Sequence, residues 1–261
     1  MRLKYARKGS GDPLVFIHGL GSAATIWNSL TEPLAKDFDT ISVDLPGHGQ
    51  SDLPEGIDVT PEALADYVIE TLDHLQIKTF HLAGNSLGGW VGLELAAKYP
   101  TRVRSLVGFA PAGLWLTPFR SRYPGTALPR IVAKIIFPIT PLILHSKIIR
   151  KLAFTNISPK ADQLQFKICL DASRAIAKSP GYYPAWNGML HRRFDKKFPP
   201  SIPVAIIFGD TDKTLPAHTS QERSLAPAQS NWQIWPECGH APMWDQREKS
   251  IAIIYEIAGR K

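Results

Sequence analysis

Apolar residues in the first third of the chain follow two rhythms. Short, mostly apolar runs, Leu14–Ile17, Thr40–Leu45, Thr79–Ala83 and Val103–Ala110, alternate with stretches in which apolar positions return at helical spacing. The runs suit strands buried on both faces, and the stretches between them suit amphipathic helices. Trp27, Leu30 and Leu34 mark the first such helix. The second is better punctuated: Thr60 is an N-cap, Pro61 takes the first helical position, Glu62 lies in the first turn, and Leu64, Val68, Leu72 and Leu75 share a face. A third runs from Trp90 to Tyr99 and stops at Pro100. Strand and helix in alternation predict an α/β fold, a mainly parallel central sheet with helices on both faces.

From Pro111 to about Phe198 this rhythm is lost. Proline-punctuated stretches rich in Ile, Leu, Lys and Arg replace it and read as several short helices. The alternation returns with a strand at Ile202–Phe208, a helix near His218–Leu225, a strand at Trp232–Trp235 and a final helix over Gln246–Ala258. The expected organisation is an α/β core built from residues 1–112 and 199–261, interrupted by a helical cap at 113–198. A length of 261 residues suits one such domain with one insertion.

With 44% hydrophobic and 20% charged residues, the chain can bury a substantial core, which excludes a disordered class. Its first residues, MRLKYARKGSGDPLVFIHG, lack the apolar core and small-residue cleavage site of a secretory signal, so a cytoplasmic location is expected. The longest apolar stretch, Ile131–Leu144, is broken by Lys134, Pro138 and Pro141 and does not suit a membrane span. Cys169 and Cys238 make no disulfide scaffold and are expected as free thiols. Charge adds more. The net charge is +7, yet residues 113–198 hold 15 Lys and Arg against 3 Asp, a net of +12, while the rest holds 15 against 20, a net of −5. No acidic residue occurs between Glu94 and Asp162.

The chemistry gathers at three turns. Gly84-Asn85-Ser86-Leu87-Gly88 is a weak pattern alone, but it lies between an apolar run and a helix, where a sharp turn lifts a serine hydroxyl above the sheet. Gly84 and Gly88 then avoid Cβ clashes with the neighbouring strand and helix while Ser86 is held strained. A serine needs a base, and the base needs an acid to hold its tautomer. His240 follows the strand ending at Trp235, and Asp212 follows the strand ending at Phe208, giving the order Ser, Asp, His. Asp210 is the alternative acid; Asp212 is preferred because Gly209-Asp210 should still be turning out of the strand. His18 and His48 sit beside glycines and are expected to order their loops, and His81 to pack within a strand. The backbone N–H groups of Leu20 and Leu87 are candidate donors to a tetrahedral oxyanion.

Taken together, His18-Gly19-Leu20-Gly21, Asp44–Ser51 (DLPGHGQS), Gly84–Gly89 (GNSLGG), Gly209–Pro216 and Gly239-His240 resemble the α/β-hydrolase superfamily over the whole chain except the cap. The resemblance implies a serine hydrolase with Ser86 as nucleophile, His240 as base and Asp212 as acid, and no cofactor or metal. Asn85 before the nucleophile and Trp244 after His240 resemble the substrate-binding positions of meta-cleavage carbon–carbon hydrolases, although plain esterases share them. The expected reaction is hydrolysis of a carboxylic ester or thioester, with carbon–carbon hydrolysis as the alternative. A perhydrolase-like activity and a non-catalytic ligand receptor stand further back. Serine at position 86 argues against the epoxide hydrolase and haloalkane dehalogenase branches, which carry aspartate there.

The expected partner is a small ester or acyl substrate, its acyl chain held under the apolar side of the cap. The cap's positive charge is either a solvated surface or a landing site for something acidic: an acyl carrier protein, a CoA or phosphate-bearing acyl ester, or an anionic membrane surface. Nucleic acid is the weakest reading, since no recognisable motif accompanies the charge.

Overall fold

The computed structural model describes residues 1–122 and 127–260, without the side chains of 127–129. Its centre is a seven-stranded sheet in the order β1-β3-β2-β4-β5-β6-β7. The strands are β1 (Tyr5–Lys8), β2 (Asp12–Ile17), β3 (Phe38–Val43), β4 (Phe80–Asn85), β5 (Val103–Phe109), β6 (Val204–Gly209) and β7 (Asn231–Trp235). All neighbours run parallel except β1, which pairs antiparallel with β3 in the register Tyr5 to Val43.

Successive residues of a strand point to opposite faces, and here both faces are covered. Val15 and Ile17 join one core with Leu64, Val68 and Leu72 of helix α2 (Pro61–His74) and Leu87, Trp90 and Val91 of helix α3 (Leu87–Lys98). Leu14 and Phe16 join the other, with Leu30 and Leu34 of helix α1 (Asn28–Leu34) and Ile253 and Ile254 of the last helix, α8 (Arg247–Ile257). This two-sided burial is why the strands read as continuous apolar runs. Thr60 caps α2 through its side chain, which accepts from the Ala63 N–H, and Pro61 sits in the first turn.

The boundaries differ from the sequence reading in informative ways. Strand β1 carries no apolar run: all four of its residues are exposed. The helix expected near His218–Leu225 is instead a single turn, Ala217–Ser220, followed by a short 3-10 turn, Arg223–Leu225. Its partly exposed residues lack the apolar stripe that would hold a longer helix against the core.

Between β5 and β6 the chain leaves the sheet and forms α4 (Ala127–Ile136), α5 (Lys147–Phe154), α6 (Phe166–Ala177) and α7 (Tyr182–Met189), with shorter turns between them. Residues 123–126 of the expected cap lie outside the described residues. The segment has a small core of its own, Leu144, Phe154, Ala161, Leu164 and Cys169. Its two ends are joined where the Phe194 N–H donates to Gly113 O (2.9 Å) and the Trp115 indole N–H donates to Arg192 O (2.8 Å). Lys196 then pairs with the buried Glu94 of α3 at 2.5 Å. Both cysteines are buried and unpaired, and burial pushes the Cys169 thiol up to about 11.

Candidate active site

Three loops at the carboxyl ends of the strands carry the candidate residues. Ser86 stands between β4 and α3 with φ 55° and ψ −118°, a left-handed conformation that L residues avoid and that costs on the order of 1–3 kcal/mol. The glycines on either side make that turn sterically possible. A Cβ on Gly84 would lie 2.3 Å from Gly88 O, and one on Gly88 would lie 2.1 Å from Ile17 O. Gly19 approaches from β2, where a Cβ would meet the Ser86 Cβ at 3.0 Å. The Leu20 loop therefore passes beside the serine. Neither the Leu20 nor the Leu87 backbone N–H donates a hydrogen bond among the described residues, and Leu87 opens α3, where the helix dipole favours negative charge.

His240 and Asp212 meet directly, His240 Nδ1 lying 2.9 Å from Asp212 Oδ2. The Asp212 side chain is fully buried and its other oxygen accepts from the Thr214 and Leu215 N–H groups, both at 2.8 Å. Burial would raise the Asp212 pKa, but His240 and the two backbone donors outweigh it and hold the carboxyl below its ordinary value. An ionised acceptor there places the proton on Nδ1 and leaves Nε2 free to accept one. Asp210, the alternative acid, is exposed and instead accepts from the Cys238 N–H at 3.2 Å.

The backbone of His240 is clamped from both sides. Its N–H donates to Ile157 O of the β5–β6 insertion at 2.7 Å, and its carbonyl accepts from Asn85 Nδ2 at 3.0 Å. The same Asn85 amide donates to Phe109 O at 3.0 Å. Asn85 was expected to touch substrate; the structure commits both of its N–H groups to main-chain carbonyls, so it ties the serine turn to the histidine loop. Trp244 likewise packs between the sheet core and the insertion core, its indole N–H turned toward Ile26 O at 3.4 Å.

His18, His48 and His81 are held in hydrogen bonds of the fold. His18 Nδ1 bonds Gly19 O at 2.7 Å while its Nε2 accepts from the Leu45 N–H at 3.0 Å, and His48 bonds Pro46 O at 2.9 Å. His81 bonds Ser105 across the sheet at 2.8 Å. Burial pushes His18 down to about 4 and His48 down to about 3, so both are neutral.

Two acids escaped the sequence reading. Asp44 is buried and accepts from the Ala24 and Gln50 N–H groups at 2.7 and 2.9 Å, fastening the Leu20 loop to the turn after β3. Asp245 accepts from the Ser158 hydroxyl of the insertion and from the Gly239 N–H at 2.8 Å, bracing the histidine loop. Asp44 stands inside the DLPGHGQS motif, but the partners that give each acid its bracing role, Ala24 for Asp44 and Ser158 for Asp245, lie further off in sequence.

The alpha/beta hydrolase family profile matches residues 14–252. An uncharacterized protein of Mycobacterium tuberculosis is 30% identical over 258 residues, covering 94% of this chain and 75% of that protein. A 2-hydroxymuconate semialdehyde hydrolase of a Pseudomonas species is 39% identical over 109 residues, covering 41% of this chain and 38% of its own. Among solved structures, a thermophilic esterase from Thermogutta terrifontis superposes with a TM-score of 0.72 at 25% identity, covering 97% of this chain and 92% of the esterase. The profile match over most of the sequence, joined to the parallel sheet and its serine turn, makes this chain a member of the alpha/beta hydrolase family.

Proposed function

We propose that the chain hydrolyses a carboxylic ester or thioester through an acyl-enzyme on Ser86. The observation that carries this reading is the 2.9 Å pairing of the buried Asp212 with His240, whose loop is hydrogen-bonded to the residue preceding the strained serine. In the proposed cycle Ser86 Oγ attacks the carbonyl carbon as His240 Nε2 takes its proton. The resulting oxyanion accepts from the Leu20 and Leu87 N–H groups, two donors whose joint contribution is several kcal/mol. Collapse releases the alcohol or thiol, which leaves with the proton from His240. Water then attacks the acyl carbon, again giving its proton to His240, and the carboxylic acid departs as the proton returns to Ser86.

Similarity to the Thermogutta esterase supports the ester reading, and the local similarity to the 2-hydroxymuconate semialdehyde hydrolase supports carbon–carbon hydrolysis as the second. One panel separates them. Fluorophosphonate labelling is expected to tag Ser86, and p-nitrophenyl esters of short to medium chain length are expected to turn over well above a ring-fission diketone. No labelling would end the serine-hydrolase reading, and the opposite substrate preference would put carbon–carbon hydrolysis first.

A further inference from the structure

The insertion turns an unusual surface outward. Over residues 131–152, Ile135, Leu142, Ile148 and Leu152 are each more than 70% exposed, and Ile131 and Ile139 are about half exposed. Isolated exposed aliphatics are ordinary, but six within one continuous stretch are not. Lys134, Lys147 and Lys151 are exposed among them and have no ion-pair partner among the described residues. On α5 the spacing is regular: Ile148 and Leu152 form one pair of neighbours and Lys147 and Lys151 another, while Arg150 and Phe154 face inward. The two inward arginines are consumed by the fold. Arg130 donates to Ser179 O and lies over the Tyr182 and Tyr183 rings, and Arg150 donates to Leu144 O, His145 O and Asp162 O. The outward lysines have no such work.

We propose that this surface docks the enzyme on an anionic lipid bilayer, with Ile135, Leu142, Ile148 and Leu152 entering the interface and Lys134, Lys147 and Lys151 meeting lipid phosphates. Charge selects this occupant. With no acidic residue between Glu94 and Asp162, a second copy packed on the same surface would set lysine against lysine. Protein interfaces are enriched in aromatic residues and arginine, whereas here the outward residues are Ile, Leu and Lys, the composition of a helix lying in a membrane interface. No helix among the described residues is long and apolar enough to cross a membrane, so the contact is peripheral.

The surface is also wired to the site. α5 ends at Phe154, and three residues later Ile157 O accepts the His240 N–H. At the other end, Arg130 of α4 holds Tyr182, whose ring packs where a Cβ on Gly21 would meet it at 2.8 Å. Helices seated on lipid would thus stand directly over the loops of Leu20 and His240. Docking is independent of the hydrolase reading. Delivery of a membrane-borne acyl ester to Ser86 rests on it.

Co-sedimentation of the full chain with vesicles tests the proposal. The wild type is expected to pellet with phosphatidylcholine vesicles carrying about a quarter phosphatidylglycerol, roughly tenfold less with phosphatidylcholine alone, and less again as salt is raised. Joint replacement Ile135→Ser, Leu142→Ser, Ile148→Ser and Leu152→Ser should weaken binding by roughly tenfold or more while leaving hydrolysis of a soluble short-chain ester unchanged, which also shows that the variant is folded. Ser86→Ala should bind vesicles as the wild type does, so loss of chemistry and loss of docking are read separately. Wild type remaining in the supernatant would overturn the proposal. So would equal binding by the Ser variant, or a wild-type dimer at assay concentration that the Ser variant no longer forms.

Discussion

Asp210 and Asp212 leave the same strand two residues apart, yet only Asp212 turns inward to a histidine. Asp212→Asn is therefore expected to lower ester kcat by roughly 10⁴-fold, because the amide no longer fixes the Nδ1–H tautomer, and Asp210→Asn by less than about tenfold. Steady-state rates on one p-nitrophenyl ester compare them, and the reverse ranking would assign the acid to Asp210. Acid sensitivity has a separate source. His18 and His48 titrate at about 4 and about 3 in the fold against 6.5 when unfolded, so the unfolded chain binds protons first as pH falls below 6.5. Stability is full above that value and declines toward pH 4, with the buried His18 contributing on the order of 3 kcal/mol. Urea midpoints at about pH 7 and about pH 5 should show this fall; a constant midpoint would mean these rings are not held neutral. Protonating His18 also removes the lone pair that accepts from the Leu45 N–H, loosening the loop that carries Leu20. The placement of Asp212 beside His240, and of His18 and His48 in loop hydrogen bonds, was legible because each sits in a short motif after a strand end. The tie that Asn85 makes was not legible: its partners, the carbonyls of Phe109 and His240, come from distant segments that sequence spacing does not bring together.

Elements were legible in proportion to the apolar surface they bury. Strands β2 and β4 and helix α2 announce themselves because one face or both meet a core, whereas β1 is specified by main-chain pairing to β3 along an exposed edge. One very tight junction lies where α3 crosses the end of β2 at Gly88. A methyl group there would press within 2.1 Å of Ile17 O, a backbone atom that cannot swing aside. Gly88→Ala is expected to destabilise the fold by about 3 kcal/mol or more and to displace Leu87 from the serine turn. Urea unfolding of Gly88→Ala beside Gly56→Ala checks it. Gly56 meets nothing within 4 Å but has φ +71°, so it isolates the cost of backbone strain from that of collision.

At the level of the whole molecule the basic insertion is tied to the more acidic core by several hydrogen bonds and ion pairs. One is Lys196 on Glu94, whose second oxygen accepts from the Trp90 indole at 3.0 Å. Burial raises the Glu94 pKa despite that lysine. Lys196→Met would leave the carboxylate poorly compensated, at a cost of about 2 kcal/mol, less than for a fully buried pair because the lysine is nearly half exposed. Adding Glu94→Gln should return part of the loss in a double-mutant cycle, and additive losses would argue against the pairing. The sequence marked where the sheet rhythm stopped but not how the inserted chain returns to the site, since Ser158 and Asp245 meet across 87 positions. That return matters to anyone recombining this enzyme with a relative. A chimera with junctions placed only at the neck, near Gly113 and Phe194, would import a foreign main chain at Ile157 and Ser158, and with it a new seat for the His240 amide and the Asp245 carboxylate. Donor segments should be chosen by whether they present a carbonyl and a hydroxyl at those two points, before any matching of substrate preference.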